Sequence, residues 1–526
     1  MKYKNIFVRY ALVAILAICM CLNSCAVALI TAVLYEPEPT DSEYYDEPYT
    51  SDDSDNIIYI ETTNETEASS SDTTDSTESH NTEQTTDADI DNLPIENEKY
   101  ASTNGYNALE SFSNGKAMQL LYKRLQVLAD KIHTDSSVNA YSLTDHDGSA
   151  IPNIIGSAPY SSSISEDELF MVFNMFRCDN PIYYWIDNQI IYSSQYVYLM
   201  TISDYASGAE RIRYSEMIDN KIKDYMDTIS NEISSYRIAL HFHDEIIKNM
   251  DYAMDDNGDP SIDLNDHNVL GAFITGSGVC EAYAKAFQLL LNAAKIENCY
   301  VIGTSGEEMG TGIGHAWNMV KLDNGKWYYC DLTWDDLGSE EDGVQHNNFC
   351  VGAYTNVSWS DDGSKQPSVT FISEHIPNLN SGTGEDFQYA LPPVSAVEYF
   401  DASKDIVRSK ITVEGCTYMI SGYNELALIS INAIGEITIP AQISHNGIIY
   451  DVASVIGSKY LYDSSYHTFE DISLFYNPQI TSVYFSENIR FISDLIFETE
   501  RHPKINIDES NPYIYYDKAS GTIKNK

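Results

Sequence analysis

From Glu36 to about Asn104 the chain offers almost nothing to bury. The tract reads EPEPTDSEYYDEPYTSDD and later ETTNETEASSSDTTDSTESHNTEQTTDADID, and no Lys or Arg occurs in it before Lys99. So much Ser, Thr, Asp and Glu cannot offset the entropy of folding by apolar burial, and like charges extend the segment. Residues 36–104 are therefore expected to be a disordered acidic stalk, which confines the folded cores to the residues beyond 104. The whole chain has 526 residues and a formal net charge of -49, much of it in this tract. No basic patch stands out, so a nucleic-acid partner is not expected. Hydrophobic residues at 43% suffice for several globular cores past the stalk.

Ahead of the stalk, Lys2, Lys4 and Arg9 precede the apolar run YALVAILAICMCL, Tyr10 to Leu22. Residues 1–35 read as a signal peptide or membrane anchor. LNSC, Leu22 to Cys25, resembles a bacterial lipoprotein signal, which implies lipidation of Cys25; Asn23 departs from the usual small residue there. The apolar stretch continues as AVALITAVLY to Tyr35, which suits an uncleaved transmembrane helix equally well. Both readings attach the chain to a membrane through its N-terminus and place the rest on the extracellular side of a bacterial cell membrane.

Past the stalk, residues 105–230 read as a mixed α/β accessory domain. KAMQLLYKRLQVLADKI has helical apolar spacing, Ser165 is a capping residue for SEDELFMVFNMF, and NQIIYSSQYVYLMTIS alternates like strand. Residues 231–375 hold the chemistry-bearing motifs, 376–400 read as a linker, and 401–526 as a β-rich domain. In the last, ITIPAQI, YDVASVIG, ITSVYFSENIRFI and KINIDESNPYIYYD recur roughly every 20–25 residues. The Ile-Thr-Ile-Pro and Asn-Pro-Tyr pieces resemble extracellular leucine-rich repeats of the BspA type, which implies a protein or cell-wall ligand for this region.

Three short stretches carry candidate chemistry. In GSGVCEAYAKAFQLLLNAA, Gly276 and Gly278 permit a tight turn and an apolar stripe starts at Ala282, so Cys280 falls at a helix N-terminus. The positive end of a helix dipole favours a thiolate, and free N–H groups in the first turn suit an oxyanion. GHAWNMVKL and KWYYCDLTW alternate like strands around Asp323–Gly325. A three-residue loop with Gly325 left-handed sets Leu322 opposite Lys326, and this register puts His315 and Asp331 on one face as diagonal neighbours. A two-residue loop would put them on opposite faces. Against this reading, Cys280 as a small buried residue, His315 as a satisfied strand histidine and Asp331 as a turn cap are the ordinary alternatives.

GSGVCEAYA, GHAWN and YCDLTWDD together resemble the three core motifs of the bacterial transglutaminase-like superfamily, and HNNFCV resembles the strand that often succeeds them. The resemblance implies an α+β, papain-like core with Cys280 as nucleophile, His315 as base and acid, and Asp331 as the residue that orients the ring. It implies a cysteine peptidase or protein-glutamine acyltransferase acting on peptides or proteins, by hydrolysis or acyl transfer. The rival class is a non-catalytic surface adhesin that uses the fold and repeats as a scaffold. No cofactor and no metal are expected: DDNGDPSID lacks the spacing of a calcium loop, and in HFHD only His241 and Asp244 share a helical side. No side-chain oxyanion donor is identifiable ahead of Cys280. The six cysteines beyond Cys25 are too scattered for a disulfide scaffold.

Overall fold

The computed structural model describes residues 57–59, 95–305 except 146, 313–336, 344–353, 358–359, 365–366, 375–378, 387–456 except 402–403, 474, 477–492 and 503–526 except 518–519. All of them fall in one unit that runs from Asp53 to Lys526. The expected signal peptide or membrane anchor, residues 1–35, lies outside the described residues.

Two pieces of the acidic tract belong to the fold. Ile57–Tyr59, strand β1, pairs in parallel with Ile190–Tyr192. Residues 95–104 are anchored by Asp130, which accepts from the backbone N–H of Glu96 and Asn97, and Tyr100 is buried. The expected stalk boundary at 104 therefore lies inside ordered chain. Local apolar content was the wrong guide for these pieces, because tertiary partners supply the strand pairing of the first and the hydrogen bonds and burial of the second.

Helix α1 (Asn104–Leu109) leads to α2 (Gly115–Thr134) and α3 (Glu166–Asp179). Ser165 caps α3 by the reciprocal box with Glu168, as its position implies. Strands β2 (Tyr141–Thr144), β3 (Ala150–Pro159), β4 (Ile186–Tyr192) and β5 (Tyr196–Thr201) make a sheet of order β1-β4-β5-β3-β2. Helices α4 (Gly208–Thr228) and α5 (Ser235–Asn249) come next.

Short strands β6 (Asp251–Tyr252) and β7 (Ser277–Gly278) then bracket the turn before α6 (Cys280–Ala293). The antiparallel sheet against which α6 packs has order β11-β10-β9-β8-β14. Its strands are β8 (Asn298–Ser305), β9 (Ile313–Lys321), β10 (Trp327–Cys330), β11 (Phe349–Val351) and β14 (His375–Pro377); β12 (Ser358–Trp359) and β13 (Lys365–Gln366) pair with each other.

A single apolar core extends from Tyr100 to Ile406 through both the expected accessory and catalytic regions. The two share one interior rather than forming separate globules. The expected linker is part of it: Phe387, Tyr389 and Tyr399 are buried, Tyr399 stacks on Tyr236 at 4.8 Å, and Ser395 N–H donates to the Trp327 carbonyl. Its Gly, Ser and Pro content signalled irregular backbone correctly, but an irregular strap still buries its aromatics.

The C-terminal region has its own core. Strands β15 (Lys410–Val413), β16 (Cys416–Gly422), β17 (Glu425–Ile431), β19 (Gln442–His445) and β20 (Ile448–Val455) form one sheet, extended by β22 (Phe491–Ile492). Strands β18 (Gly435–Ile439), β21 (Ile480–Phe485) and β23 (Lys504–Ile507) form a parallel ladder in which Ile437, Val483 and Ile505 stand in register. Asn511, of the Asn-Pro-Tyr piece, is fully buried. Its amide donates to the carbonyls of Ser486 and Ile489 and accepts from the N–H of Tyr513 and Ile514.

Candidate active site

Cys280 is the first residue of α6, half-buried against Cys178, Ala284, Tyr300 and Ala316. The backbone ahead of it is tightly packed. Gly276 is left-handed at φ 73°, and a Cβ on Gly278 would lie 2.6 Å from that of Ala282. Small residues are what let the turn deliver the sulfur to the helix head.

The hairpin between β9 and β10 has the expected loop. Gly325 is left-handed, Leu322 N–H donates to the Lys326 carbonyl, and Trp327 faces Lys321. That register brings His315 Nε2 within 2.7 Å of Asp331 Oδ2. The Cys280 sulfur is near enough to favour a charged His315 ring, and since Asp331 holds Nε2, the nitrogen left for a thiol is Nδ1. Burial disfavours a charged ring, yet the Asp331 carboxylate and the sulfur together raise His315 to about 10. Burial likewise disfavours an ionised Asp331, but His315 and His375 hold its carboxyl well below the usual range.

Asp331 also caps α7 (Leu332–Asp335), as the ordinary reading had it: Oδ1 accepts from Trp334 N–H at 3.2 Å. One oxygen caps and the other faces the imidazoles, so the cap and the pairing with His315 coexist. Trp317 lies under His315 with ring centroids 5.7 Å apart, and Trp334 is 6.1 Å from it. These indoles wall the site.

Two residues escaped the sequence reading. Tyr252 is paired with Gly278 by the β6–β7 bridge, beside the turn that delivers Cys280. Burial and the neighbouring Cys280 push its phenol up to about 12. It keeps its proton at neutral pH, next to the first N–H of α6. His375 donates Nε2–H to Asp331 Oδ2 at 2.7 Å. The residues just before it, 371–374, lie outside the described residues, and no local motif marks it.

A second buried cluster corrects the reading of HFHD. His243, not His241, pairs with Asp244, Nδ1 to Oδ1 at 3.0 Å, and its Nε2 faces Asp335 at 3.1 Å. His346 adds a 2.7 Å bond to Asp244, and burial is overridden by the two carboxylates, which raise His243 to about 9. His241 instead packs on Tyr423, ring centroids 4.6 Å apart, and burial lowers it to about 4. In this cluster and in His315–Asp331–His375, the donor atoms lie within 4.8 Å of one another, a spacing metals also use. Here the carboxylates take the ring N–H groups, and hydrogen bonding accounts for the spacing.

The six described cysteines are free, with the Cys330 and Cys350 sulfurs 3.7 Å apart. Burial pushes Cys178 and Cys299 up to about 12. Among the described residues no helix is long and apolar enough to cross a membrane.

Residues 223–332 match the family model of the transglutaminase-like superfamily, a stretch that contains Cys280, His315 and Asp331. This part of the chain is a transglutaminase-like domain. Solved structures similar to the chain include a TGase, 15% identical with a TM-score of 0.22, matched over 28% of this chain and 42% of its own. The periplasmic domain of TgpA from Pseudomonas aeruginosa is 17% identical with a TM-score of 0.19, over 27% of this chain and 55% of its own. A leucine-rich cell surface protein from Faecalibacterium prausnitzii is 18% identical with a TM-score of 0.16, over 21% of this chain and 26% of its own. The chain thus spans less than two thirds of each of them. No curated protein matches it.

Proposed function

We propose that the chain is a cysteine enzyme that breaks or exchanges amide bonds of peptides or proteins, with Cys280 as nucleophile, His315 as acid and base, and Asp331 as the orienting carboxylate. The observation that supports it best is His315 itself, bonded through one nitrogen to Asp331 at 2.7 Å and raised to about 10 by that carboxylate and by the nearby Cys280 sulfur. In the first half-reaction His315, held at about 10, already carries the Cys280 proton on Nδ1, and the thiolate attacks the substrate carbonyl carbon. The tetrahedral oxyanion sits at the Cys280 N–H and the Tyr252 hydroxyl. As the C–N bond breaks, His315 returns its proton to the leaving amine, and a thioester remains on Cys280. Water or a second amine then attacks, gives His315 a proton and releases the thiolate, which restores the starting pair. Water yields hydrolysis and a lysine amine yields a cross-link.

In this reading the protein works outside a cell membrane, attached through residues 1–35, and the C-terminal β region engages a protein or wall ligand. The test is casein cleavage and dansyl-cadaverine incorporation by the full chain. Wild type should perform at least one of these, and Cys280→Ala and His315→Ala should abolish it. Turnover that survives Cys280→Ala would sink the proposal.

A further inference from the structure

Asp331 carries a second imidazole on the oxygen that serves the first. His375, 44 residues further along, donates to Oδ2 at 2.7 Å, the same atom and distance as His315. Its side chain is wholly enclosed. The Trp334 ring is 4.3 Å away, Trp317 stands edge-on at 5.1 Å, and His315 is at 5.6 Å. Gly303, opposite His315 on one side and Pro377 on the other, makes room for β14 to close in. A Cβ there would stand 2.2 Å from the Ile376 carbonyl oxygen and 2.6 Å from the Trp317 ring.

A carboxylate with no exposure needs donors for its lone pairs. Oδ1 takes the Trp334 N–H, and Oδ2 takes both imidazoles. Donors from β9, α7 and β14 surround the group, so it cannot turn about its own bond. We infer that His375 is a positioning residue for the Cys280 chemistry: its N–H pins Asp331 Oδ2, and the pinned carboxylate holds His315 with Nδ1 toward the sulfur. The inference rests on the roles proposed above for Cys280, His315 and Asp331. Without the His375 N–H, Oδ2 keeps one donor, the carboxylate gains a rotation, and the His315 ring turns with it. The N–H is the required feature rather than the bulk of the ring.

The experiment is the rate of iodoacetamide labelling of Cys280 at pH 7, read by peptide mass spectrometry on the full chain, with melting temperature recorded in parallel. The variants are His315→Ala, His375→Gln, which keeps an N–H at the reach of Nε2, and His375→Leu, which keeps bulk without a donor. His375→Leu should slow labelling about ten- to a hundredfold, the loss of one hydrogen bond to a buried charge. His375→Gln should restore most of it. If His375→Leu does not fold, His375→Gln and His375→Asn still decide, because Asn has the N–H but falls short of Oδ2 and should be slow. Equal rates in the folded His375 variants and wild type, while His315→Ala is slow, would overturn the positioning role alone. An unchanged rate in His315→Ala would overturn the triad reading beneath it. A wild-type rate that changes on adding EDTA would overturn the inference in favour of a bound ion.

Discussion

Asp331 divides two duties between two oxygens, and each has its own consequence. Asp331→Asn keeps an oxygen for the Trp334 N–H, so α7 should remain capped and the melting temperature should change little. The same change removes the charge that holds both imidazoles. In a serine triad this swap lowers turnover by about 10⁴, and a loss of about a thousandfold or more is expected here. A folded Asp331→Asn with wild-type turnover would remove Asp331 from the mechanism. The ring it holds also sets an alkaline limit. His315, held at about 10, loses its proton as pH rises through that value. Turnover should fall there, and in Asp331→Asn the fall should move toward the ordinary imidazole value near 6.5.

At the level of elements, α5 joins the candidate site to the C-terminal sheet. Asp244 accepts from the backbone N–H of Tyr423, just past β16, at 2.7 Å, and from His243 and His346. His243 in turn bonds Asp335 at the end of α7, whose first turn is capped by Asp331. Around this chain of bonds Arg237 reaches Asn424 at 2.6 Å and Lys248 reaches Glu425 at 3.0 Å. Gly422 allows the approach, because a Cβ there would lie 2.8 Å from Asp244 Oδ2. Gly422→Ala should therefore strain a buried, charged contact, lower stability by about 1–3 kcal/mol and reduce Cys280 labelling with it. Urea unfolding and the labelling rate measure both; an unchanged pair would mean that the sheet is only an appended module.

Across the whole molecule, buried histidines of opposite sign define a window of stability. His133 accepts from Trp185 Nε1 at 3.2 Å, and burial lowers it to about 4; His241 is lowered similarly. Both are neutral in the folded chain and charge more readily when it unfolds. Their contribution is complete above about 6.5 and is lost as pH falls toward 4, by roughly 3 kcal/mol for His133. His243 and His315 are raised, to about 9 and about 10, so they stabilise fully below 6.5 and less as pH climbs through those values. Melting temperature should peak between about pH 6 and 7. The acid descent should shrink in His133→Gln, whose amide still accepts the Trp185 N–H and does not titrate. An acid descent identical to wild type would exclude His133 as its source.

The parts legible in the sequence were local or set by period. Glycines at 276 and 278 ahead of an apolar stripe place Cys280 at a helix head, and Asp323–Gly325 sets a hairpin register that puts His315 and Asp331 on one face. Backbone sterics and side-chain alternation over a few residues are enough to dictate both. Tertiary structure alone decided the rest. Tyr252 stands beside the pre-helix turn because a two-residue strand pairs with it. His375 reaches Asp331 from a strand two places from β9 in the sheet. His243, rather than His241, meets the carboxylates, because α5 is enclosed on nearly every side and its periodicity cannot say which face meets what. Ile57–Tyr59 and residues 95–104 fold because a sheet edge and Asp130 await them. In each case the partner is distant in sequence, and the free energy comes from burying a charge or an N–H with its complement, which no short window of residues contains.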